Sequence, residues 1–187
     1  MTGARNLTPA PGLLFYLTAG ELLGEENGRG GIEVPCHEAN VNKKELAAGI
    51  LASAFRGLEE RGVVSLEIAN KGFLFFKTTR VMVEPLKREG ASGLEGGILD
   101  ALHSLADEGR DTEVEGVIYR WFGDGRHDPW QDVIDAMTRE AAELGLMVEV
   151  DPDDEDLSPF FIDDVELKPD RRKIEAQSSR TSDFVSR

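Results

Sequence analysis

The chain has 187 residues, of which 40% are hydrophobic and 30% are charged, and its formal net charge is -15. That length suits one compact domain with enough apolar residues for a core. The charge disfavours nucleic acid and anionic lipid as partners: residues 94–167 carry -18 while residues 1–93 are neutral, and such a surface repels phosphate over about 8–10 Å.

Two features near the N-terminus bear on the compartment. Cys36 is the single cysteine, so no intrachain disulfide is possible and a reducing, cytoplasmic location is expected. The apolar run LLFYLTAG at 13–20 is shorter than the roughly 20 residues that cross a bilayer. It also lacks the basic flank of a signal peptide, so neither a membrane span nor a leader is predicted.

The first part of the chain is predicted to contain one helix between irregular segments. Residues 1–12 contain Pro and Gly and are predicted to be a flexible lead. The apolar pattern favours a helix over 13–23, ended by Gly24. The stretch ENGRGG at 26–31 is predicted to be a loop, and residues 32–41 are expected to be irregular.

Four further helices are predicted from their N-caps. In each, a short polar residue that can accept the first N–H groups is followed three residues later by an acid or amide. These signals are Asn42 with Glu45 for a helix over 43–61, Ser92 with Glu95 for 93–106, Thr112 with Glu115 for 113–122, and Asp128 with Gln131 for 129–144.

Each of these helices has an apolar stripe at helical spacing, which predicts a face directed to the core. The stripe of the 113–122 helix fits the i, i+3, i+4, i+7, i+8 pattern at every position. The stripe residues are Leu46, Ile50, Leu51, Ala54, Phe55 and Leu58; Leu94, Ile98, Leu102 and Leu105; Val114, Val117, Ile118, Trp121 and Phe122; and Ile134, Met137, Ala141 and Leu144.

Two of the helices are followed by the same pattern of a glycine and strand-like runs. Gly62 and Gly145 stand where a helix ends in a left-handed residue. After Gly62, the run VVSLEI, the turn ANKG at 69–72 and the run FLFF predict a β-hairpin. After Gly145, LMVEV, the acidic loop DPDDED and FFIDDVEL predict a second hairpin.

The predicted fold is therefore mainly α, a helical domain with two β-hairpins arranged as tandem winged-helix-like units. The domain is expected to cover residues 13–167. Residues 168–187 are rich in Ser, Arg and Lys, so they are predicted to form a disordered tail.

No motif predicts an enzyme, a metal or a cofactor. The chain has no phosphate-binding loop, dinucleotide fingerprint, nucleophile elbow or zinc-protease motif. The acidic stretch at 151–162 fails as a calcium loop, because Asp156 stands where glycine is needed and Ile162 where a bidentate glutamate is needed. His37, His103 and His127 have no metal-ligand spacing. A non-enzymatic binding or adaptor module is the expectation.

Two stretches are candidate interfaces. In WFGDGRHDPW at 121–130, Trp121 ends an apolar stripe and is expected in the core, whereas Arg126 and Trp130 belong either to an interhelical turn or to an exposed contact pair.

The second stretch is Phe160, Phe161 and Ile162, three adjacent large apolar residues among acids. They either pack on the protein's own helices or contact a partner protein or another copy of the chain. A protein partner is favoured over a membrane, because the flanking acids repel anionic headgroups.

A winged-helix arrangement also raises DNA binding through residues 43–83 as an alternative function. The helix over 129–144 has one arginine against several acids, so it is unsuited to phosphate contacts. The helix over 43–61 is marginally positive, and its hairpin adds Lys71, Lys77 and Arg80 as possible wing contacts. Tight nucleic-acid binding is not expected from this balance.

The order of these parts resembles the Golgi phosphoprotein 3 family (GPP34), which has bacterial members. The similarity covers roughly residues 44–169 and lies in layout and apolar pattern. It is carried by GILASAFRGLEERGVVSLEI and its hairpin, GLEGGILDALHSL, TEVEGVIYRWFG, DPWQDVIDAMTREAAELGLM and PFFIDDVELKP. The cytoplasmic part of certain bacterial membrane proteins has a similar layout and is a weaker match.

The GPP34 resemblance implies a mostly helical, non-enzymatic peripheral membrane protein that recognises phosphoinositide headgroups and inserts a hydrophobic hairpin. In the family, a Trp and Arg residues on the first and last long helices form the headgroup site. Asn42, Leu51, Gln131 and Ile134 stand near those places in this sequence. None supplies the required side chain, so no lipid site is predicted.

Overall fold

The computed structural model describes residues 10–24, 31–35, 37–73, 76–122, 128–149, 160–162, 165–170 and 172–174. At positions 37–38, 70–73, 76–78, 148–149, 160–162 and 165–168 it describes the backbone alone. The named elements are the helices α1 (Pro11–Leu22), α2 (Lys43–Glu60), α3 (Gly93–Asp107), α4 (Val114–Phe122) and α5 (Pro129–Glu143), and the strands β1 (Gly31–Val34), β2 (His37–Asn42), β3 (Val64–Phe73), β4 (Phe76–Pro85), β5 (Met147–Glu149), β6 (Phe160–Ile162) and β7 (Val165–Pro169).

The prediction of a mainly helical fold with small antiparallel sheets is confirmed. Two of the predicted N-caps are also confirmed. The Asn42 side chain accepts hydrogen bonds from the N–H groups of Lys44 and Glu45, and Asp128 accepts from those of Trp130 and Gln131. The short polar side chains therefore fix the starts of α2 and α5.

The predicted cap of α3 is wrong, because the Ser92 side chain makes no capping hydrogen bond. The first turn is capped from another helix: Leu94 N–H donates to Glu140 Oε2 on α5 at 3.2 Å. A carboxylate there satisfies an end N–H and interacts favourably with the helix dipole. In α4, which begins at Val114, Thr112 lies one residue before the cap position.

The ends of α2 and α5 have the same geometry, as the sequence predicts. Gly62 and Gly145 have φ of 62° and 68°, which favours glycine at both positions. After α2, Val63 N–H donates to Leu58 O at 2.9 Å. After α5, Leu146 N–H donates to Ala141 O at 2.8 Å. Both helices thus end in a Schellman motif that leads into a strand.

The strands form three small antiparallel sheets, and each differs from the predictions. β1 pairs with β2, so residues 32–34 and 37–41, which were predicted to be irregular, lie in strands. The turn predicted at ANKG is wrong: Ala69 to Gly72 pair within the β3–β4 ladder, which runs from Val64 opposite Pro85 to Phe73 opposite Phe76. The longer ladder satisfies more backbone N–H and C=O groups than a turn at ANKG would.

The third sheet has the order β5-β7-β6. The predicted hairpin of LMVEV with FFIDDVEL is correct only in part: β5 pairs with β7, whereas β6 is a separate strand that pairs with the other side of β7. We call the β6–β7 pair the late hairpin. β6 is an edge strand of this sheet, and its backbone lies beside α5.

One hydrophobic cluster runs through the described residues. The stripes of α2 and α3 are buried as predicted, as are Ile134, Met137 and Ala141 of α5, whereas Leu144 is partly buried. The buried hydroxyls of Tyr16 on α1 and Thr138 on α5 are 2.7 Å apart. Helix α1 therefore belongs to the core together with α2 and α5.

The predicted domain boundaries need correction at both ends. Helix α1 begins at Pro11, so the last residues of the predicted lead are helical. Residues 168–169 lie in β7, Asp170 N–H donates to Leu146 O at 2.7 Å, and Ile174 is buried in the core. The start of the predicted tail is therefore folded, because Ile174 can cover apolar surface there. None of the described helices is long and apolar enough to cross a bilayer.

Candidate functional site: an apolar groove between β4, α4 and α5

A groove with a volume of about 430 Å³ lies between β4, α4 and the first turn of α5. We call it the β4–α4 groove. Its apolar and aromatic lining residues are Val81, Val114, Ile118, Tyr119, Phe122 and Trp130. A concave, mostly apolar site of this size is typical of pockets that take small organic ligands.

Strand β4 is held against the start of α4 by backbone and side-chain contacts. Val83 N–H donates to Thr112 O at 2.8 Å, and Met82 forms a β-bridge with Glu113. The Arg80 guanidinium donates to Glu113 Oε1 at 2.7 Å. This ion pair spans the wall of the groove between strand and helix, and Glu113 raises the pKa of Arg80 by hydrogen bonding and charge.

The opposite side of α4 is fixed on α3. The Trp121 indole lies over Gly97, where a Cβ atom would be 2.4 Å from Nε1. Arg120 donates to Ser104 Oγ at 2.8 Å and also pairs with Glu108. Because these contacts hold α4 on α3, the residues on the other side of α4 can line a cavity that no further element fills.

This arrangement corrects the prediction for the apolar stripe of α4. Val117 is buried, but Val114, Ile118, Trp121 and Phe122 are partly buried. Val114, Ile118 and Phe122 line the β4–α4 groove. The periodicity correctly predicted one apolar face, yet part of that face lines a cavity and is not closed by core packing.

The far end of the groove is formed by the start of α5. Pro129 and Trp130 line it, and Asp128 caps the helix. Lys43 Nζ donates to Asp128 Oδ2 at 2.7 Å, which joins the starts of α2 and α5. This hydrogen bond and the backbone N–H groups lower the pKa of Asp128.

The groove has an acidic rim. Glu115 and Asp132 line it together with the Arg80–Glu113 pair. Across the described ranges, no hydrogen-bonding or ion-pair partner is found for the side chains of Glu115 and Asp132. Since Glu113 balances Arg80, the rim retains two unbalanced carboxylates.

The mouth of the groove continues onto exposed apolar surface. Tyr119 is 58% exposed and Val81 is 39% exposed. Ile68, which pairs with Val81 across the β3–β4 ladder, is 72% exposed. Exposed apolar groups that adjoin a cavity and are rimmed by charge mark binding surfaces.

The structure brings one of the sequence-predicted interface residues to this groove. Trp130 lines it, whereas Arg126 lies outside the described residues. The side chains of Phe160, Phe161 and Ile162 also lie outside the description, so their interface role stays a prediction. Sequence reasoning missed Val81, Tyr119 and the acids of the rim; the only local signal was the apolar stripe of α4.

A second cluster of ionisable groups lies where α3, α2 and α5 meet. Glu95 is 3% exposed, pairs with Arg61, and its Oε1 has no hydrogen-bond partner in the described part of the chain. Burial raises the pKa of Glu95, against the opposing effect of Arg61. Burial also raises the pKa of Glu140, and the nearby charge of Glu95 adds to that shift.

The other candidate ligands and contacts do not converge. His103 Nε2 is 3.0 Å from Lys87 O, while Cys36 and His127 lie outside the described residues. Within the described ranges, no three His, Cys, Asp or Glu side chains could together hold a metal ion.

The places that correspond to a GPP34 headgroup site are used for folding. Asn42 caps α2, Gln131 Nε2 donates to Asp135 Oδ1 at 2.8 Å, and Leu51 and Ile134 are buried in the core. These side chains offer no cationic contact to a phosphate.

Comparison with models of known protein families finds no match to this chain, and comparisons with curated protein sequences and solved structures find none either.

Proposed function

We propose that this protein is a non-enzymatic binding module of GPP34-like type whose ligand site is the β4–α4 groove. The observation that carries the proposal is a preformed apolar cavity of about 430 Å³, held open between elements that are fixed from behind. Its mostly apolar and aromatic lining suits recognition of a small ligand with an apolar body. We place this module in the cytoplasm on the basis of its single cysteine.

The tandem winged-helix-like arrangement is part of the same proposal. Its support is the repeated unit of a helix, a left-handed glycine and antiparallel strands, once from α2 to β4 and once from α5 to β7. In this arrangement the first hairpin forms one wall of the groove, so a wing serves as a ligand-binding element.

A second candidate contact is the late hairpin, through which a protein partner or another copy of the chain would bind. Its support is the edge position of β6 in its sheet as described, because an edge strand can pair with a strand of another chain. Anionic lipid is disfavoured there by the surrounding acids.

The proposed ligand site can be tested with a neutral apolar probe, naphthylethanol, by amide-resolved NMR titration. We expect saturable shifts of amides at residues 79–82, 114–119 and 130–132. The variant Val81→Trp should fill the mouth of the groove and weaken binding by about ten-fold or more. Leu86→Trp, at an exposed position outside the groove, is the control and should bind as the parent does.

Absence of saturable shifts, or equal binding by Val81→Trp and the parent, would overturn the proposed site. The non-enzymatic part is tested separately with a panel of hydrolase and phosphatase substrates. Turnover that disappears when one polar residue is replaced would contradict it.

A further inference from the structure

We infer that the ligand of the β4–α4 groove is an organic cation: an aromatic or alkyl body that carries one ammonium group. This inference rests on the proposed ligand site and adds the chemical class of the ligand. It follows from the charges of the rim and the nature of the lining, which together are complementary to an amphiphilic cation.

The first step is the charge balance at the groove. Arg80 is the one cation among the lining residues of the described chain, and Glu113 pairs with it at 2.7 Å. Glu115 and Asp132 form no hydrogen bond or ion pair in the described chain, although the charge of Glu115 also acts on Arg80. A ligand ammonium group at the rim can therefore pair with these carboxylates without displacing a cation of the protein.

Part of the groove lining is aromatic. Tyr119, Phe122 and Trp130 line the same cavity. Ring faces attract an ammonium group by cation–π interaction, and a carboxylate beside the rings adds a charge partner. An anionic ligand would face the same rings and two unbalanced carboxylates, so its binding is disfavoured.

The size of the groove also suits a small molecule. Its volume of about 430 Å³ falls within the roughly 300–1,000 Å³ of small-molecule pockets.

The test uses three probes with the same aromatic body and different charge: naphthylethylamine, naphthylethanol and naphthylpropanoate. Calorimetric or NMR titration of the full chain at low and physiological salt gives their affinities. We expect the cation to bind about ten-fold more tightly than the neutral alcohol, and the anion to bind most weakly. The preference for the cation should decrease with salt, because Glu115 is solvent-exposed and Asp132 is only partly buried.

Two double variants distinguish the effect of the rim carboxylates on cation affinity from the effect of the protein's net charge. Glu115→Gln with Asp132→Asn should lower the affinity for the cation to that for the alcohol. Glu89→Gln with Asp100→Asn removes the same charge at exposed positions outside the groove and should retain the preference.

Equal affinity for cation and alcohol in the parent protein, or an unchanged preference in the rim variant, would overturn the inference while the groove stays a binding site. If none of the probes binds, the inference and the proposed function both fail. A tetralysine peptide that binds more tightly than the amine would also contradict the inference, since the occupant would then be a basic protein segment.

Discussion

At the scale of single residues, adjacent glycines in α3 have different tasks. A Cβ atom on Gly97 would lie 2.4 Å from Trp121 Nε1, whereas one on Gly96 would meet its nearest atom, Ala91 O, at 3.5 Å. The first contact is closer than real Cβ atoms allow, and the second is ordinary van der Waals contact. Gly97 is therefore required by packing, because the indole that fixes α4 occupies the space of a side chain.

This difference predicts opposite effects of the same substitution. Gly97→Ala should destabilise the protein by about 1–3 kcal/mol, since the Trp121 indole must move. Gly96→Ala should be neutral or stabilise by up to about 1 kcal/mol through helix propensity. Urea unfolding measures both effects, and near-UV circular dichroism reports the indole. Equal stability of the two variants would show that Trp121 does not occupy this space.

The buried Glu95 carboxylate predicts a pH dependence of stability. Its pKa is raised in the folded protein, so the folded state retains the proton more tightly than the unfolded chain, whose glutamates titrate near pH 4.3. Stability from this group is therefore lost as the pH rises from about 4.3 through the folded pKa, and the loss persists above it.

The variant Glu95→Gln cannot ionise and should lack this loss. Relative to the parent, its stability should increase between about pH 4 and the folded pKa of Glu95. The increase should be about 1.4 kcal/mol for each unit by which folding raises that pKa, and the difference should stay constant at higher pH. Urea midpoints measured from pH 4 to 8 test this, with Asp100→Asn, exposed on the same helix, as control. A relative stability that falls as the pH rises would contradict the role given to burial.

At the scale of elements, the late hairpin presents an edge strand. β7 lies between β5 and β6, so one side of β6 has no neighbouring strand in its sheet as described. The backbone of β6 also lies beside α5. These placements allow both alternatives for its three apolar residues, packing on the protein's own helix and contact with a partner.

Replacing Phe160, Phe161 and Ile162 together by Ser distinguishes these alternatives. If they form an interface, the variant should lose self-association or partner capture and keep the helical circular dichroism signal of the parent. Sedimentation at several protein concentrations and far-ultraviolet spectra measure this. Global unfolding of the triple variant would show that the residues are core. Binding of the parent, but not of the variant, to anionic liposomes would instead show membrane insertion.

At the scale of the whole molecule, charge pairing opposes the alternative of a DNA-binding regulator. Four cations of residues 43–83 are paired with acids: Lys43 with Asp128, Arg56 with Glu59 and Glu60, Arg61 with Glu95, and Arg80 with Glu113. A cation that already has a carboxylate partner releases fewer counterions when it meets a phosphate. The strongly acidic segment 94–167 adds repulsion of the duplex.

We therefore expect duplex DNA to bind only weakly at physiological salt, with a dissociation constant above about 1 µM and strong salt dependence. A gel-shift titration tests this. The control replaces Lys71, Lys77 and Arg80 together by Ala and should change little. Nanomolar binding by the parent that is lost in this control would establish the wing as a DNA contact and refute the charge argument.

Features that depend on neighbouring residues could be predicted from the sequence alone. The caps at Asn42 and Asp128, the glycines that end α2 and α5, and the stripes of α2 and α3 all follow from contacts within a few positions. Such contacts form in any compact state of the chain, because the helix itself places i, i+3 and i+4 side by side.

Contacts between residues far apart in the chain depend on how the helices and strands pack. Glu140 caps α3 in place of Ser92, Arg80 pairs with Glu113, and Trp121 covers Gly97. No local pattern predicts these pairs, since their partners meet only when helices pack. The β4–α4 groove depends on the same packing: the stripe of α4 was visible in the sequence, but whether a neighbour fills it or leaves a cavity depends on where β4 and α5 lie.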